Sequence, residues 1–470
     1  MGTLLLLFLQ SSAYQAAVQA YTGHRFAEAI PLFEKAAAGG PQALVSQYML
    51  GNACLQAHRD GQAVHAFATL FQVAPDSAAA HLLTAGMMLR AQMMPGAAKE
   101  AARALEIDVH IPEAHFILGE ATLVLGDDGK AIGEFRNEIE YNPSFSMAYY
   151  RLGDADEHLG AWDDAISALQ RSIWLNPNHS GPYTLIGKAY LKRGDVDDAK
   201  GALSHALQMD PHDQSVRQLL DQTKALPSRG PQAAVPAGGN EYRSGRIQEA
   251  IPLLEKARAM GVHNNELLFM LGNSYLQTHQ VPKARAAFAD LYGVAAESGA
   301  ARLFIAHMLM RAEFEDDAQA ELEAAVAREP KLPEAHFMLG EIAIYRAQLD
   351  RAIDELNSEI AGNPAFAMAY YRLGDAFTRR EDWEHAVPPL QRAVWLDPAY
   401  SGPYILLGKT YLKQGDLPEA ERMLRRALQL DPQNPSAHYL LGRTLIQSGR
   451  AEEGKKLLLQ WEALRKESSQ

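Results

Sequence analysis

A unit of 34 residues recurs along this chain, and no other feature of the sequence restricts its fold as strongly. When a repeated glycine is numbered position 8 of the unit, it stands at Gly51, Gly119, Gly153, Gly187, Gly272, Gly340, Gly374, Gly408 and Gly442. Position 20 is alanine in almost every unit, as at Ala165 and Ala386, and position 32 is proline in most. A repeat of this length indicates an array of similar structural units rather than several unrelated domains.

The residues within one unit predict a helical hairpin. Each unit holds two runs with helical apolar periodicity, separated by a short polar turn. Small residues at positions 8 and 20 allow the two helices to cross closely, and large residues at position 24, such as Phe135 and Leu169, are expected to fill the space between one hairpin and the next. Proline at position 32 cannot continue the second helix. The chain is therefore predicted to be all-α.

A longer repeat lies over the first, because residue n of the first half matches residue n+221 of the second. MLGN occurs at 49 and at 270, and MAYYRLGDA occurs at 147 and at 368. This offset equals six and a half periods of 34 residues, so the second array begins half a unit out of phase with the first. A Pro- and Gly-rich segment between the arrays must account for this half unit. We predict a first array over 14–226, a loop over 227–244, and a second array over 245–470 that ends in a polar C-terminal cap.

These repeats resemble the tetratricopeptide repeat (TPR) family over nearly the whole chain. The resemblance implies an α-solenoid of about thirteen helical hairpins, wound as a right-handed superhelix. It also implies a concave groove, lined by the first helix of each hairpin, that binds peptides or proteins.

In the family, positions 2, 5, 9, 12 and 13 of the first helix face the groove. The aromatic residues at position 5 are Tyr48, Phe116, Tyr150, Phe269, Phe337, Tyr371 and Tyr439. The polar residues at position 9 are Asn52, Glu120, Asp154, Lys188, Asn273, Glu341, Asp375 and Lys409. Two interpretations stay open: these rows contact a bound partner, or the aromatic rings only pack between neighbouring first helices.

The chain departs from the carboxylate clamp with which some family members grip chaperone tails. Tyr48 and Phe269 stand where the clamp needs lysine, and Leu83 and Phe304 stand where it needs asparagine. Binding of chaperone tails by a clamp is therefore not expected.

The charge and the titratable residues exclude several classes of function. The chain has 44 Lys and Arg against 57 Asp and Glu, a net charge of -13, which would repel nucleic acid. Cys54 is the single cysteine and is expected to be an inert core thiol, so no intramolecular disulfide is expected. His115, near His110 and Glu113, has no diagnostic metal spacing and occupies a packing position, as does His336.

Trp174 and Trp395 are each followed closely by the sequence SGPY, at 180 and at 401. They represent either duplicated binding spots or rings that pack under the next hairpin, with Ser capping that hairpin and Pro in its first turn. The repeat pattern favours packing.

Residues 1–13 are predicted to be either a signal peptide or a hydrophobic cap on the first helix. Leu4 to Leu9 form an apolar run that is too short to span a membrane and lacks a preceding positive charge. The chain is expected to be periplasmic or secreted in the first case and cytoplasmic in the second.

The sequence contains no phosphate loop, nucleophile elbow or helical zinc motif, and the repeats leave no room for a catalytic domain. We therefore predict a non-enzymatic scaffold that binds protein or peptide partners and needs no cofactor or metal. Two alternatives stay open: an exported cell-envelope assembly factor or holdase, and a weak small-ligand or metal-dependent activity that uses Glu120 and His115. Self-association through a terminal hairpin also stays open.

Overall fold

The computed structural model of the chain describes residues 12–40, 42–226, 238–262 and 264–467. These residues form helices joined by turns, and no strand occurs among them. The helices of the first half are α1 (Ser12–Thr22), α2 (Phe26–Ala37), α3 (Ala43–Gln56), α4 (Asp60–Phe71), α5 (Ala78–Arg90), α6 (Met94–Ile107), α7 (Ala114–Val124), α8 (Asp128–Tyr141), α9 (Ser146–His158), α10 (Trp162–Leu175), α11 (Ser180–Arg193), α12 (Val196–Met209) and α13 (Gln214–Ala225).

The second half repeats this order of helices. They are α14 (Gly239–Arg243), α15 (Ile247–Ala259), α16 (Asn265–Gln277), α17 (Val281–Tyr292), α18 (Gly299–Arg311), α19 (Glu315–Arg328), α20 (Ala335–Tyr345), α21 (Leu349–Gly362), α22 (Ala367–Arg379), α23 (Trp383–Leu396), α24 (Ser401–Gln414), α25 (Leu417–Leu430), α26 (Pro435–Gln447) and α27 (Ala451–Glu467). The prediction of an all-α protein built from about thirteen helical hairpins is confirmed.

Two predicted segments fall largely outside the described residues. The proposed signal or hydrophobic cap lies there except for its last two residues, with which α1 begins. In the predicted loop over 227–244, residues 227–237 lie outside the described part, and the short helix α14 follows them.

The repeated glycine fits against the large residue at position 24 of its own hairpin. A Cβ added to Gly153 would lie 2.6 Å from Cγ of Leu169, and one added to Gly374 would lie 2.4 Å from Leu390. Real Cβ atoms do not approach so closely, so a larger residue would push the two helices apart. The position-24 side chain therefore packs within its hairpin, a contact that the sequence pattern had assigned to the space between hairpins.

The turn inside each hairpin requires a left-handed backbone. Gly126 and Gly160 adopt φ values of +86° and +73° at this point, where glycine costs little. Other repeats place larger residues in the same conformation, including Ala347 with φ of +57° and Glu381 with φ of +61°. These turns therefore keep the backbone geometry even where the sequence has lost the glycine.

A buried carboxylate fixes the start of α7. Glu138, on α8, accepts hydrogen bonds from the backbone N–H of Glu113 at 2.9 Å and of Phe116 at 3.1 Å. Burial raises the pKa of Glu138, and these hydrogen bonds partly oppose the shift. The duplicated residue Glu359 accepts from the N–H of Phe337 at 3.2 Å. In both halves this carboxylate positions the helix that carries predicted groove residues.

The chain divides into two compact units that do not coincide with its two sequence halves. Unit 1 comprises the described residues of Met1–Gln92, Glu106–Ile111 and His336–Gln470, and unit 2 comprises Met93–Leu105 and the described residues of Pro112–Ala335. Each unit thus combines repeats from the start of one half with repeats from the end of the other.

Across residues 12–467, wherever the structure describes them, no helix is both long and apolar enough to cross a bilayer.

Candidate protein-binding surface

In unit 2, charged residues on α7, α9 and α11 form a connected row. Arg151 lies between two acidic residues, with Nε 2.6 Å from Oε1 of Glu120 and Nη1 3.3 Å from Oδ2 of Asp154. One turn further along α9, Glu157 pairs with Lys188 of α11 at 3.0 Å. We call these five residues the first-helix surface of unit 2. It joins three successive repeats through side chains that keep partial contact with solvent.

The electrostatic balance of this surface depends on Arg151. Burial raises the pKa of Glu120, and the adjacent Arg151 guanidinium opposes that shift. Lys188 is the most open member, with 39% of its side chain exposed. A carboxylate of a partner can therefore contact the Lys188 ammonium in place of Glu157.

Unit 1 carries a related row of ion pairs on α20 and α22, and Lys409 follows on α24. Arg372 Nη2 lies 2.7 Å from Oε1 of Glu341, and Arg379 Nε lies 3.1 Å from Oδ2 of Asp375. Lys409 Nζ lies 6.0 Å from the ring centroid of Trp383. We call Glu341, Arg372, Asp375, Arg379 and Lys409 the first-helix surface of unit 1. The repeat pattern did not single out the central Arg372 or the equivalent Arg151, although both belong to the repeated sequence MAYYRLGDA.

Four aromatic residues of position 5 pack against the residue that precedes the next first helix. Phe116 meets Phe145 edge-on at a centroid distance of 5.0 Å, and Phe337 meets Phe366 in the same way at 5.0 Å. The other two pairs, also edge-on, are Tyr150 with His179 at 5.0 Å and Tyr371 with Tyr400 at 5.2 Å. All four rings are half-buried. Each ring therefore packs between neighbouring repeats and also keeps part of its surface exposed.

The position-5 residues Tyr48 and Phe269 have different neighbours, because each stacks on a tryptophan from a distant repeat of its unit. In unit 1, Tyr48 stacks on Trp395 at 5.1 Å with an interplanar angle of 9°. In unit 2, Phe269 stacks on Trp174 at 4.5 Å and 10°. The sequence had favoured packing of each tryptophan under the next hairpin. The structure instead pairs each with a predicted groove residue, and we call these contacts the tryptophan stacks.

Side-chain hydrogen bonds to α10 accompany the tryptophan stack of unit 2. Arg311 of α18 donates to the backbone carbonyls of Trp174 and Leu175, at the C-terminal end of α10. Asn265 Nδ2 donates to Oγ of Ser167 at 2.9 Å. A cation at a helix C-terminus also offsets the negative end of the helix dipole.

A hydrogen bond and a ring contact also accompany the tryptophan stack of unit 1. Arg392 Nε donates to the carbonyl of Leu70 at 3.1 Å, and Phe71 meets Tyr370 edge-on at 6.0 Å. The equivalent rings of unit 2, Tyr149 and Tyr292, meet at 6.1 Å. The second repeat of each half therefore contacts the fifth repeat of the other half.

The remaining predicted residues contact their own neighbours. Asn52 Nδ2 donates to the carbonyl of Tyr48 at 3.0 Å. Asn273 forms a side-chain hydrogen bond with Tyr242, and Tyr439 packs on Trp461 at 5.0 Å.

The histidines singled out by the sequence pack and form ion pairs. His115 Nδ1 lies 2.7 Å from Oε2 of Glu134, and its ring stacks on Tyr141 at 5.7 Å. His336 pairs with Glu355 at 2.8 Å. Within the described residues, no three His, Cys, Asp or Glu side chains converge as a metal site requires. Cys54 is buried, and burial raises the pKa of its thiol to about 11.

Family models match most of the chain. A model described as tetratricopeptide repeat matches residues 48–108, 129–180, 237–301, 305–360 and 342–402. A second model of the same description matches residues 157–222 and 411–470. No curated protein matches the chain.

Solved structures share only a distant likeness with this chain. The structure titled "Crystal structure of MamA" is 22% identical and covers 35% of this chain and 96% of its own, with a TM-score of 0.33. MamA 41-end from Desulfovibrio magneticus RS-1 is 21% identical, covers 37% and 97%, and has a TM-score of 0.34. The APC/C hetero-tetramer Cut9–Hcn1 is 16% identical, covers 94% and 98%, and has a TM-score of 0.33. At these sequence identities and TM-scores, the solved structures do not indicate what this chain binds.

Proposed function

Because this chain belongs to the tetratricopeptide repeat family, we propose that it is a non-enzymatic scaffold that binds protein or peptide segments along its first-helix surfaces. The observation that carries the proposal is the connected row of partly exposed ion pairs across α7, α9 and α11, with a related row in unit 1. Half-buried rings of Phe116 and Tyr150 stand on the same helices.

The chemistry of these surfaces suits an extended or helical segment with alternating charged and apolar groups. The Lys188 side chain is 39% exposed, so its charge is accessible to a partner although it pairs with Glu157. Lys188 and Lys409 offer cations for partner carboxylates, and Glu120 and Glu341 offer anions. Charge complementarity of this kind selects partners and sets association rate more than it sets affinity.

The two surfaces are related but not identical. His158 near Asp154 in unit 2 corresponds to Arg379 in unit 1, which pairs with Asp375. A partner that contains two binding segments would gain avidity from the two sites without any new kind of contact.

The proposal is tested by affinity capture from the native organism with full-length protein, followed by binding assays with the captured protein in purified form. Two charge-reversed variants, Lys188→Glu and Lys409→Glu, are combined in one chain. The control is Lys200→Glu, which reverses an exposed lysine on the second helix α12. We expect partners that bind wild type and the control but lose about ten-fold or more in affinity for the double variant.

Partners that bind all three folded proteins equally would contradict binding at the first-helix surfaces. Circular dichroism of each variant establishes that the helical fold is retained. A second double variant, Tyr150→Ala with Tyr371→Ala, separates the contribution of the rings from that of the charges.

A further inference from the structure

Three large aliphatic side chains of unit 2 are exposed where α7 and α9 end. Val124 is 62% exposed, Leu125 is 55% exposed and Leu159 is 58% exposed. Leu125 and Leu159 are one repeat apart and immediately precede the turn glycines of consecutive hairpins. Exposed apolar side chains that cluster, rather than occur singly, mark interaction sites.

Carboxylates border these side chains because the second helices start just after the same turns. Asp127 and Asp128 stand at the start of α8, and Asp163 and Asp164 stand in the first turn of α10. The side chain of Asp163 is 84% exposed, although it also pairs with Arg193 at 2.8 Å. We call the three aliphatic and four acidic residues the turn-edge patch.

Contacts within the fold show that the members from two repeats lie on one continuous edge. Asp128 Oδ1, at the start of α8, lies 3.4 Å from Nδ1 of His158, the last residue of α9. Leu159 follows His158 directly in the chain. The bridge therefore places Leu159 beside the turn that carries Leu125 and Asp127.

Folding accounts for the acidic residues only in part, and it does not account for the leucines. Asp127 caps α8 by accepting the N–H of Lys130 at 3.1 Å, and acidic residues in a first turn offset the helix dipole. An exposed leucine at the end of a helix has no comparable structural role.

The second half of the chain shows that this fold does not need the apolar residues. At the equivalent positions, 221 residues later, stand Tyr345, Arg346 and Arg380 instead of Val124, Leu125 and Leu159. Arg380 pairs with Asp350 at 2.8 Å and with Asp382 at 2.9 Å. The same backbone thus carries two arginines in one half where the other half carries two exposed leucines, so packing does not require the leucines.

We propose that the turn-edge patch binds a basic, amphipathic helical segment of a partner protein. Neighbouring helices are spaced about 10 Å apart, which equals about seven residues of a bound helix. Apolar side chains at positions i and i+7 of such a helix reach Leu125 and Leu159, and one at i+3 or i+4 reaches the space between them. Lysines on its flanks reach the carboxylates.

This surface is distinct from the first-helix surfaces, so the two proposals stand or fall separately. The turn-edge patch uses the ends of α7 and α9 and the starts of α8 and α10. The first-helix surface of unit 2 uses Glu120, Arg151, Asp154, Glu157 and Lys188, of which only Glu157 lies near the end of its helix.

The experiment uses the full chain and a fluorescein-labelled synthetic peptide of about 18 residues, with Leu at i, i+3, i+4 and i+7 and Lys at most other positions. Fluorescence anisotropy gives its affinity for wild type and for Leu125→Arg combined with Leu159→Arg. These substitutions copy the second half, so the fold is expected to accept them. We expect the double variant to weaken binding by about ten-fold or more.

Two controls separate specific docking from general attraction to an acidic protein. Gly133→Arg combined with Gly201→Arg adds the same charge at exposed helical sites, where a new Cβ would meet nothing within 4 Å beyond its chain neighbours and the backbone of its own helix. This control is expected to bind the peptide within about three-fold of wild type. Leu125→Gln combined with Leu159→Gln removes the apolar contacts without adding charge and is expected to weaken binding.

Equal weakening by the two arginine pairs would assign binding to net charge and overturn the proposal. So would unchanged binding by the glutamine pair, or an equal affinity for a scrambled peptide of the same composition. Lys188→Glu, which changes the first-helix surface, is expected to leave peptide affinity within about three-fold of wild type, which separates this test from that of the proposed function.

Discussion

Replacing Trp395 by alanine tests whether the tryptophan stack of unit 1 joins distant repeats energetically as well as spatially. The indole is only 8% exposed and lies flat on Tyr48 at 5.1 Å. Removing a large buried aromatic side chain costs about 3–5 kcal/mol in the free energy of unfolding, because apolar contacts are lost and a cavity remains. Tyr48→Ala is expected to cost less, about 1–3 kcal/mol, because this ring is only half-buried.

The informative quantity is the coupling energy between the two residues. Stacked aromatic rings contribute about 0.5–1.5 kcal/mol beyond the area that they bury. The double variant should therefore lose about that much less stability than the sum of the two single variants. Urea unfolding followed by far-UV circular dichroism measures all four proteins, and the denaturant slopes must agree because stacked repeats can unfold in parts.

A coupling energy near zero would refute the idea that this stack joins the repeats. The matched control is a cycle between Tyr48 and Trp461, whose ring packs instead on Tyr439, and its coupling is expected to stay within about 0.5 kcal/mol. The chain also provides an internal repetition of the experiment, since Phe269 and Trp174 should couple in unit 2.

Three further results are expected. Ala347→Gly should raise the free energy of unfolding by about 0.5–1 kcal/mol, and Gly415→Ala should lower it by a similar amount, because both residues have positive φ; thermal unfolding checks the opposite signs. Asp156, whose pKa burial raises to about 6, is costly to ionise in the folded state. Wild type should therefore gain stability relative to Asp156→Asn as the pH falls from 7 to 4, by about 1–2 kcal/mol in urea unfolding; a constant difference would contradict this. Cys54 should react with a thiol reagent at pH 8 only after denaturant is added, since its thiol is buried and protonated; fast labelling of folded protein would contradict its burial.

The sequence predicts the hairpins well because each hairpin depends on contacts between residues close in the chain. The small residue at Gly153 and the large one at Leu169 recur at fixed offsets, so the periodic pattern records their contact. The tryptophan stacks escape this pattern because they join repeats far apart in sequence. One signal was present: position 29 is tryptophan at Trp174 and Trp395 but is polar or small in other repeats, as at Gln208 and Ala361.

The sequence predicts which helices carry the candidate surface, but it does not predict the side-chain contacts within that surface. Family resemblance predicts that Glu120 and Asp154 face the groove, and repeat spacing places them on successive first helices. It cannot indicate that Arg151 joins them into one row, because that contact depends on side-chain direction across two repeats. Nor does it reveal that Tyr48 is already covered by a tryptophan.

Because the sequence is duplicated, each surface of the first half has an equivalent in the second half. The two versions can therefore be compared residue by residue. The central ion pair is kept in both copies, as Glu120 with Arg151 and as Glu341 with Arg372. A pair that serves stability alone at a partly exposed site contributes little, so its presence in both halves favours a shared binding role. The turn edge differs between the halves, because Leu125 and Leu159 correspond to Arg346 and Arg380 while both halves keep the left-handed turn. A partner that recognises both features would therefore bind to the repeats of the first half, where the ion pair of α7 and α9 and the exposed leucines at the ends of those helices occur together.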